Sequence, residues 1–88
     1  MPEEEIGKVL KYFTHVGAAV VEITKGKLEK GDTVAIRGHT TNLEQDVESM
    51  QIEHNSVDTA EKGDQVGIKV TDRVRPNDIV YKVVGEEE

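Results

Sequence analysis

No cysteine occurs in the sequence, which excludes disulfides and thiolate metal sites. That is the usage expected of a reducing compartment, and a cytoplasmic location is the corresponding expectation. Tryptophan is also missing, and the aromatic complement is one phenylalanine and two tyrosines. Any core must therefore come from aliphatic side chains. No apolar run approaches the ~20 residues of a membrane span. The first five residues, Met1-Pro2-Glu3-Glu4-Glu5, are acidic where a secretory leader is basic and then apolar. These absences predict a soluble, intracellular protein without a membrane partner. With 88 residues, one domain is expected, and a chain of this size buries only roughly 60–65% of its unfolded surface.

The net charge is −7, but it is unevenly spread. Residues 1–5 carry −3 and residues 86–88 carry −3, leaving −1 for the body between them. Within that body, residues 6–40 carry +3, residues 41–64 carry −6 and residues 65–85 carry +2. Two acidic tails are expected to be flexible, over 1–5 and 85–88, around a single folded unit at 6–84. The body presents two basic segments flanking an acidic one. That pattern fits either ordinary solvated surface charge or a basic face for an anionic partner.

What is present is repetition. Lys30-Gly31-Asp32 and Lys62-Gly63-Asp64 repeat one tripeptide, and Pro76-Asn77-Asp78 is a third, looser version. Each precedes a run alternating apolar and polar residues: Thr33 to Arg37, Gln65 to Val70 and Ile79 to Val84. Gly, Asn and Asp suit tight turns, and period-two alternation marks a half-buried strand. Two earlier strands are expected over Ile6 to Phe13, with Phe13 in the core, and over Ala18 to Thr24, with Ala19, Val21 and Ile23 on one face. Thr41 to Ile52 alternates until Val47 and then changes phase. A single strand with a β-bulge near Glu48-Ser49 accounts for this, and a helix through Leu43, Val47 and Met50 is the competing reading. A turn is expected at His54-Asn55-Ser56, with Val57 and Ala60 plugging one end and Val74 anchoring a loop. Six strands in so short a chain remove their edges by closing, so the predicted fold is all-β: a small six-stranded closed antiparallel β-barrel.

Signals for chemistry are sparse. His15, His39 and His54 fall in turns without HxH or HxxxH spacing, so no metal site is expected. Ser49 and Ser56 lack a nucleophile motif, and a barrel this small has no interior room for a substrate. No catalytic residue and no cofactor is expected. The basic residues are the remaining candidates: Lys25, Lys27 and Lys30 about one turn, Arg37 and His39 ending the next strand, and Lys8 and Lys11 from the first. Such residues on one face would suit RNA phosphates or an acidic partner surface.

The segment Gly26-Lys27-Leu28-Glu29-Lys30-Gly31-Asp32-Thr33-Val34-Ala35-Ile36-Arg37-Gly38 resembles domain II of the translational GTPases, the elongation factor Tu-like β-barrel. Val47-Glu48-Ser49-Met50-Gln51, Ala60 to Ile68, and Val74-Arg75-Pro76-Asn77-Asp78-Ile79-Val80 resemble the later parts of that domain, so the likeness spans 6–84. It implies a non-catalytic barrel that binds tRNA, rRNA or a ribosomal surface in translation, and it carries backbone roles onto Gly26, Gly31, Gly63 and Gly67. The chain most resembles small stand-alone elongation-factor-like proteins. It has no Gly-x-x-x-x-Gly-Lys-[Ser/Thr] loop and so no GTP site of that kind. In elongation factor Tu the early hairpin carries Gly-Arg-Val, whereas this chain reads Val20-Val21-Glu22-Ile23-Thr24 and lacks the Arg. A similar barrel closes the C-terminus of some collagenase-like peptidases, which implies the alternative role of a protein-interaction or accessory subunit docking a larger enzyme; the acidic segment 44–64 and the barrel's exposed edges would supply that contact.

Overall fold

The computed structural model describes residues 3–83. The expectations for 1–2 and 84–88 lie outside the described residues. Ten strands and no helix occur among those described: β1 (Glu3–Phe13), β2 (Ala18–Ile23), β3 (Lys27–Glu29), β4 (Thr33–Arg37), β5 (Asn42–Asp46), β6 (Met50–Ile52), β7 (Asn55–Val57), β8 (Thr59–Glu61), β9 (Gln65–Lys69) and β10 (Ile79–Val83). No helix among these residues is long and apolar enough to cross a membrane. Eight strands form one antiparallel sheet in the order β5-β4-β10-β1-β2-β9-β6-β7, and β3 pairs with β8 in a separate two-stranded ribbon.

The three repeated tripeptides build one corner three times. At the first, the Asp32 amide donates to the Glu29 carbonyl (3.0 Å). The Glu29 amide in turn donates to Asp32 Oδ2 (2.8 Å). At the second, the Asp64 amide donates to the Glu61 carbonyl (2.8 Å) and the Glu61 amide to Asp64 Oδ2 (2.8 Å). At the third, the Asp78 amide donates to the Arg75 carbonyl (3.1 Å) and the Arg75 amide to Asp78 Oδ2 (2.9 Å). A positive φ at the third turn residue is the type II requirement. Gly31 (97°), Gly63 (96°) and Asn77 (75°) meet it. Each aspartate thus closes a turn twice, once through its amide and once through its carboxylate.

The expected six-stranded closed barrel is not what forms. Residues 41–52 are neither one bulged strand nor a helix. The chain leaves β5 at Asp46, buries Val47 and re-enters the sheet at Met50. β5 and β6 stand six strand positions apart in the sheet order, a distance of roughly 29 Å if the sheet were flat. Only Val47, Glu48 and Ser49 join them, and that link reaches at most about 15 Å. The sheet must therefore roll up. It rolls without a ladder across the seam. Instead Gln45 of β5 bridges it with its side chain: Nε2 donates to the Lys69 carbonyl (2.7 Å) and Oε1 accepts from the Thr71 amide (2.7 Å).

The roll is filled by aliphatic side chains. Val9, Val21, Val34, Ile36, Val66 and Val80 are fully buried, and Leu28 and Ala60 from the β3–β8 ribbon join the same core. Val74 is buried as expected, and Val57 packs against the core half-buried. Glu3 to Glu5, expected to be a flexible tail, are the first three residues of β1 and pair with Val83, Lys82 and Tyr81 of β10. The hairpin turn after β6 sits at Glu53-His54, with Asn55 and Ser56 already in β7. It moves there because both residues take positive φ (52° and 68°), the geometry of a type I′ turn.

The register of β1 shifts between Glu5 and Gly7 against β10, and between Val9 and Lys11 against β2. At the first shift Gly7 presses against β2, where a Cβ would collide with the Glu22 carbonyl oxygen. Urea unfolding should show Gly7→Ala losing about 3 kcal/mol or more. Gly31→Ala, which meets open space but keeps a positive φ, should lose only about 1 kcal/mol. Equal losses would contradict this packing. Truncation of Gln45 to Ala should cost about 1–3 kcal/mol and speed exchange of the Thr71 amide.

Candidate functional site

The second bulge in β1 decides which residues face solvent. Val9 points into the core, and an unbroken strand would send Lys11 and Phe13 after it. The extra residue at Leu10 flips the alternation. Lys11 then pairs with Val20, and Phe13 with Ala18, on the outer face. Phe13, expected in the core, is 46% exposed, and Val16 in the following turn is 64% exposed. They are the exposed large hydrophobic residues of the described chain.

The same pairings lay out the outer face of β1, β2, β9 and β6 as three rows. One runs Phe13, Ala18, Lys69. The next runs Lys11, Val20, Gly67, Gln51. The third runs Lys8, Glu22, Gln65, and beyond it stands the β6–β7 turn with Glu53. Between the Phe13–Val16 turn and the Ile52–His54 turn this face dips into a groove of about 920 Å³, with Val20 and Gly67 in its lining. Gly67 was expected to serve backbone geometry. Its φ is not positive, and a Cβ there would meet nothing nearer than Gln51 O at 3.8 Å. What its missing side chain does is leave the groove floor bare.

The candidate basic residues fall on β1, around β3 and from the end of β4 into the loop after it. Lys8 and Lys11 are exposed on the outer face of β1. Arg37 shares the row of Lys8 through Ile79, but its guanidinium is held by neighbours. Nη2 meets Glu3 Oε2 at 2.6 Å, Nε donates to Glu3 Oε1 (3.4 Å) and Nη1 donates to Asn42 Oδ1. The hydrogen bonding of the guanidinium to the Glu3 carboxylate is the main reason its pKa is raised above the ordinary arginine value. Lys27 pairs with Glu29 (3.2 Å). Lys25 and Lys30 lie exposed in the turns on either side of β3, and His39 is exposed in the β4–β5 loop. Lys82 Nζ meets Asp32 Oδ2 at 3.3 Å, so one corner carboxylate also carries an ion pair.

A second depression of about 650 Å³ runs beside the first corner, with Glu29, Asp46, Glu48 and Asp58 on its rim. Asp46 there accepts from Thr33 Oγ1 (2.7 Å). Among the described residues no three His, Asp or Glu side chains are placed to hold a metal ion.

Sequence reasoning missed Val16, Val20 and Phe13 as surface residues. Val20 was legible, because Ala18, Val20 and Glu22 have the opposite parity to the buried Ala19, Val21 and Ile23. Phe13 was not, because a bulge leaves no mark in the composition of β1.

The family model for elongation factor Tu domain 2 matches residues 17–81. The chain belongs to that family. The relatives it resembles over nearly its whole length are nevertheless proteases. A collagenase of Porphyromonas gingivalis is 40% identical over 84 residues, 94% of this chain and 23% of that protein. An uncharacterized protease of Methanocaldococcus jannaschii is 44% identical over 78 residues, 88% of this chain and 19% of that protein. The chain thus spans about a fifth of the length of the curated relatives it matches.

Two solved structures of the C-terminal domain of a Geobacillus thermoleovorans protein described as a U32 peptidase share the fold. One has a TM-score of 0.85 at 28% identity, covering 92% of this chain and 93% of that one. Its selenomethionine variant has a TM-score of 0.82 at 29% identity, covering 88% and 96%. These findings correct the expectation of a translation role with RNA binding: the relatives are a collagenase, a protease and peptidase C-terminal domains. Membership of the domain 2 family carries the architecture and not the ribosomal task.

Replacement of Glu3 by Gln should release the Arg37 guanidinium. The Arg37 Nε–H signal in ¹H–¹⁵N spectra, sharp in the native chain, should broaden through faster solvent exchange. An unchanged signal would mean that Glu3 does not hold it.

Proposed function

We propose that this chain is a non-catalytic accessory module that docks a larger enzyme of the U32 peptidase kind. The observation that carries the reading is the mismatch in coverage. The alignment takes in 94% of this chain but only 23% of the collagenase, and the matching solved structures are C-terminal domains. We assign hydrolysis to the remaining four-fifths of such a protein, outside the matched segment.

The chemistry of the chain agrees. A hydrolytic site needs carboxylates or a nucleophile converging in a cleft. Asp32, Asp64 and Asp78 are instead spent on turn amides. The core is packed with aliphatic side chains. What the molecule offers to a partner is its outside.

The test uses two purified proteins: this chain, and the P. gingivalis collagenase truncated before its matching segment. The chain alone should leave casein and gelatin intact. In calorimetry it should bind the truncated collagenase at one-to-one stoichiometry with a Kd of about 100 μM or tighter, as expected of transient domain contacts. Gelatin cleavage by the chain alone, or no heat of binding at these concentrations, would overturn the proposal.

A further inference from the structure

The groove between the Phe13–Val16 turn and the Ile52–His54 turn has a second property: its two sides are complementary to each other. The β1–β2 side carries the projecting groups, with Val20 on the sheet, Phe13 and Val16 above it, and the amines of Lys8 and Lys11 along β1. The β9–β6 side carries the recess, with Gly67 bare and Glu53 beyond the sheet at the turn. No ion pair engages Lys8, Lys11 or Glu53 among the described residues.

We propose that this face binds a second copy of the same chain about a two-fold axis running along the strands between β2 and β9. A two-fold contact is isologous, so each residue meets the mirror position of the same patch. The pairings then follow from the rows. Val20 of one copy sits over the bare Gly67 of the other. Lys8 stands opposite Glu53, Lys11 opposite Gln51 and Glu22 opposite Gln65. The turn bearing Phe13 and Val16 enters the mouth of the second copy's groove. Two knobs and two ion pairs are formed, and no like charges are opposed.

Other occupants fit less well. A folded partner of unrelated shape has no reason to match both the bare Gly67 and the Lys8–Glu53 span. The β6–β7 turn supports the assignment. Glu53 and His54 occupy positions of a type I′ turn that favour Asn-Gly, and their positive φ is a local strain. The turn places Glu53 in the lining of the groove.

Four strands ~4.8 Å apart and three rows ~6.8 Å apart span roughly 400 Å². That is about half the ~800 Å² per partner of a standard interface. The self-association is therefore weak, with a Kd on the order of 100 μM, and it weakens with salt as exposed ion pairs are screened. It does not depend on the peptidase reading, and self-association is measured on this chain alone.

The experiment is sedimentation equilibrium of the full 88-residue chain from about 10 μM to about 1 mM at ~50 mM salt. The expected result is a reversible monomer–dimer equilibrium. Lys8→Glu alone and Glu53→Lys alone should each weaken it about tenfold by opposing like charges, and the double exchange should restore it to within about threefold. Val20→Asp should abolish it. Because Val20 also packs on the sheet, Gly67→Leu provides a second variant. Its Cβ meets only Gln51 O, at 3.8 Å, and the variant should abolish dimerisation without melting earlier. A monomer throughout this range, or a double exchange no better than either single change, would overturn the proposal. So would loss of dimerisation only in variants that melt earlier. If the native chain stays monomeric yet its binding to the truncated collagenase is lost on Gly67→Leu, the face belongs to the larger enzyme and not to a second copy.

Discussion

The structure depends on a carboxylate that folds back three residues. At Asp32, Asp64 and Asp78 the side chain accepts the amide of the residue that opens the turn, while the aspartate's own amide closes it. Each such bond contributes about 0.5–1.5 kcal/mol net, and it is made within the turn itself. The lock also fixes where each following strand starts. β4, β9 and β10 each begin within one residue of a locked aspartate, so the phase of their inward residues, Val34 and Ile36, Val66 and Ile68, and Val80, is set by the corner.

From fixed strand starts the rest follows by geometry. A three-residue link between strands six positions apart in the order forces the sheet to roll. The roll encloses valine and isoleucine, whose branched side chains suit a pleated surface. With the inside filled and one seam held by Gln45, recognition is left to the outer face. There the bulge in β1 is decisive, because one inserted residue moves Phe13 from the core to solvent and builds a wall of the groove. The backbone irregularity, and not the ladder, makes the surface that can bind.

The sequence carried the corners and most strands plainly. Gly-Asp pairs in front of alternating Val and Ile located β4, β9 and β10, and the parity of Ala19, Val21 and Ile23 located the buried side of β2. It did not carry features that depend on pairing between distant strands. The bulge at Leu10, the entry of Glu3 to Glu5 into β1 and the Gln45 bridge each require a neighbour far along the chain, and no local pattern encodes them. Residues 41–52 were ambiguous for the same reason: Val47 leaves the strand to cross the roll, and single-strand logic reads such a crossing as a bulge. The functional side was misread where fold and task were taken together. A family of barrels supplied the architecture, and the relatives that share nearly the whole chain are proteases.

The most direct test of the corner lock is amide hydrogen exchange at Glu29, Glu61 and Arg75. Glu61 and Arg75 are exposed and Glu29 is half-buried, so unassisted turn amides there would exchange nearly as fast as in an unfolded peptide. The carboxylate bonds predict instead that all three exchange slowly, in the class of the central strand amides of β2 and β9. Exchange of these three at unfolded-peptide rates, with the strands still protected, would contradict the account.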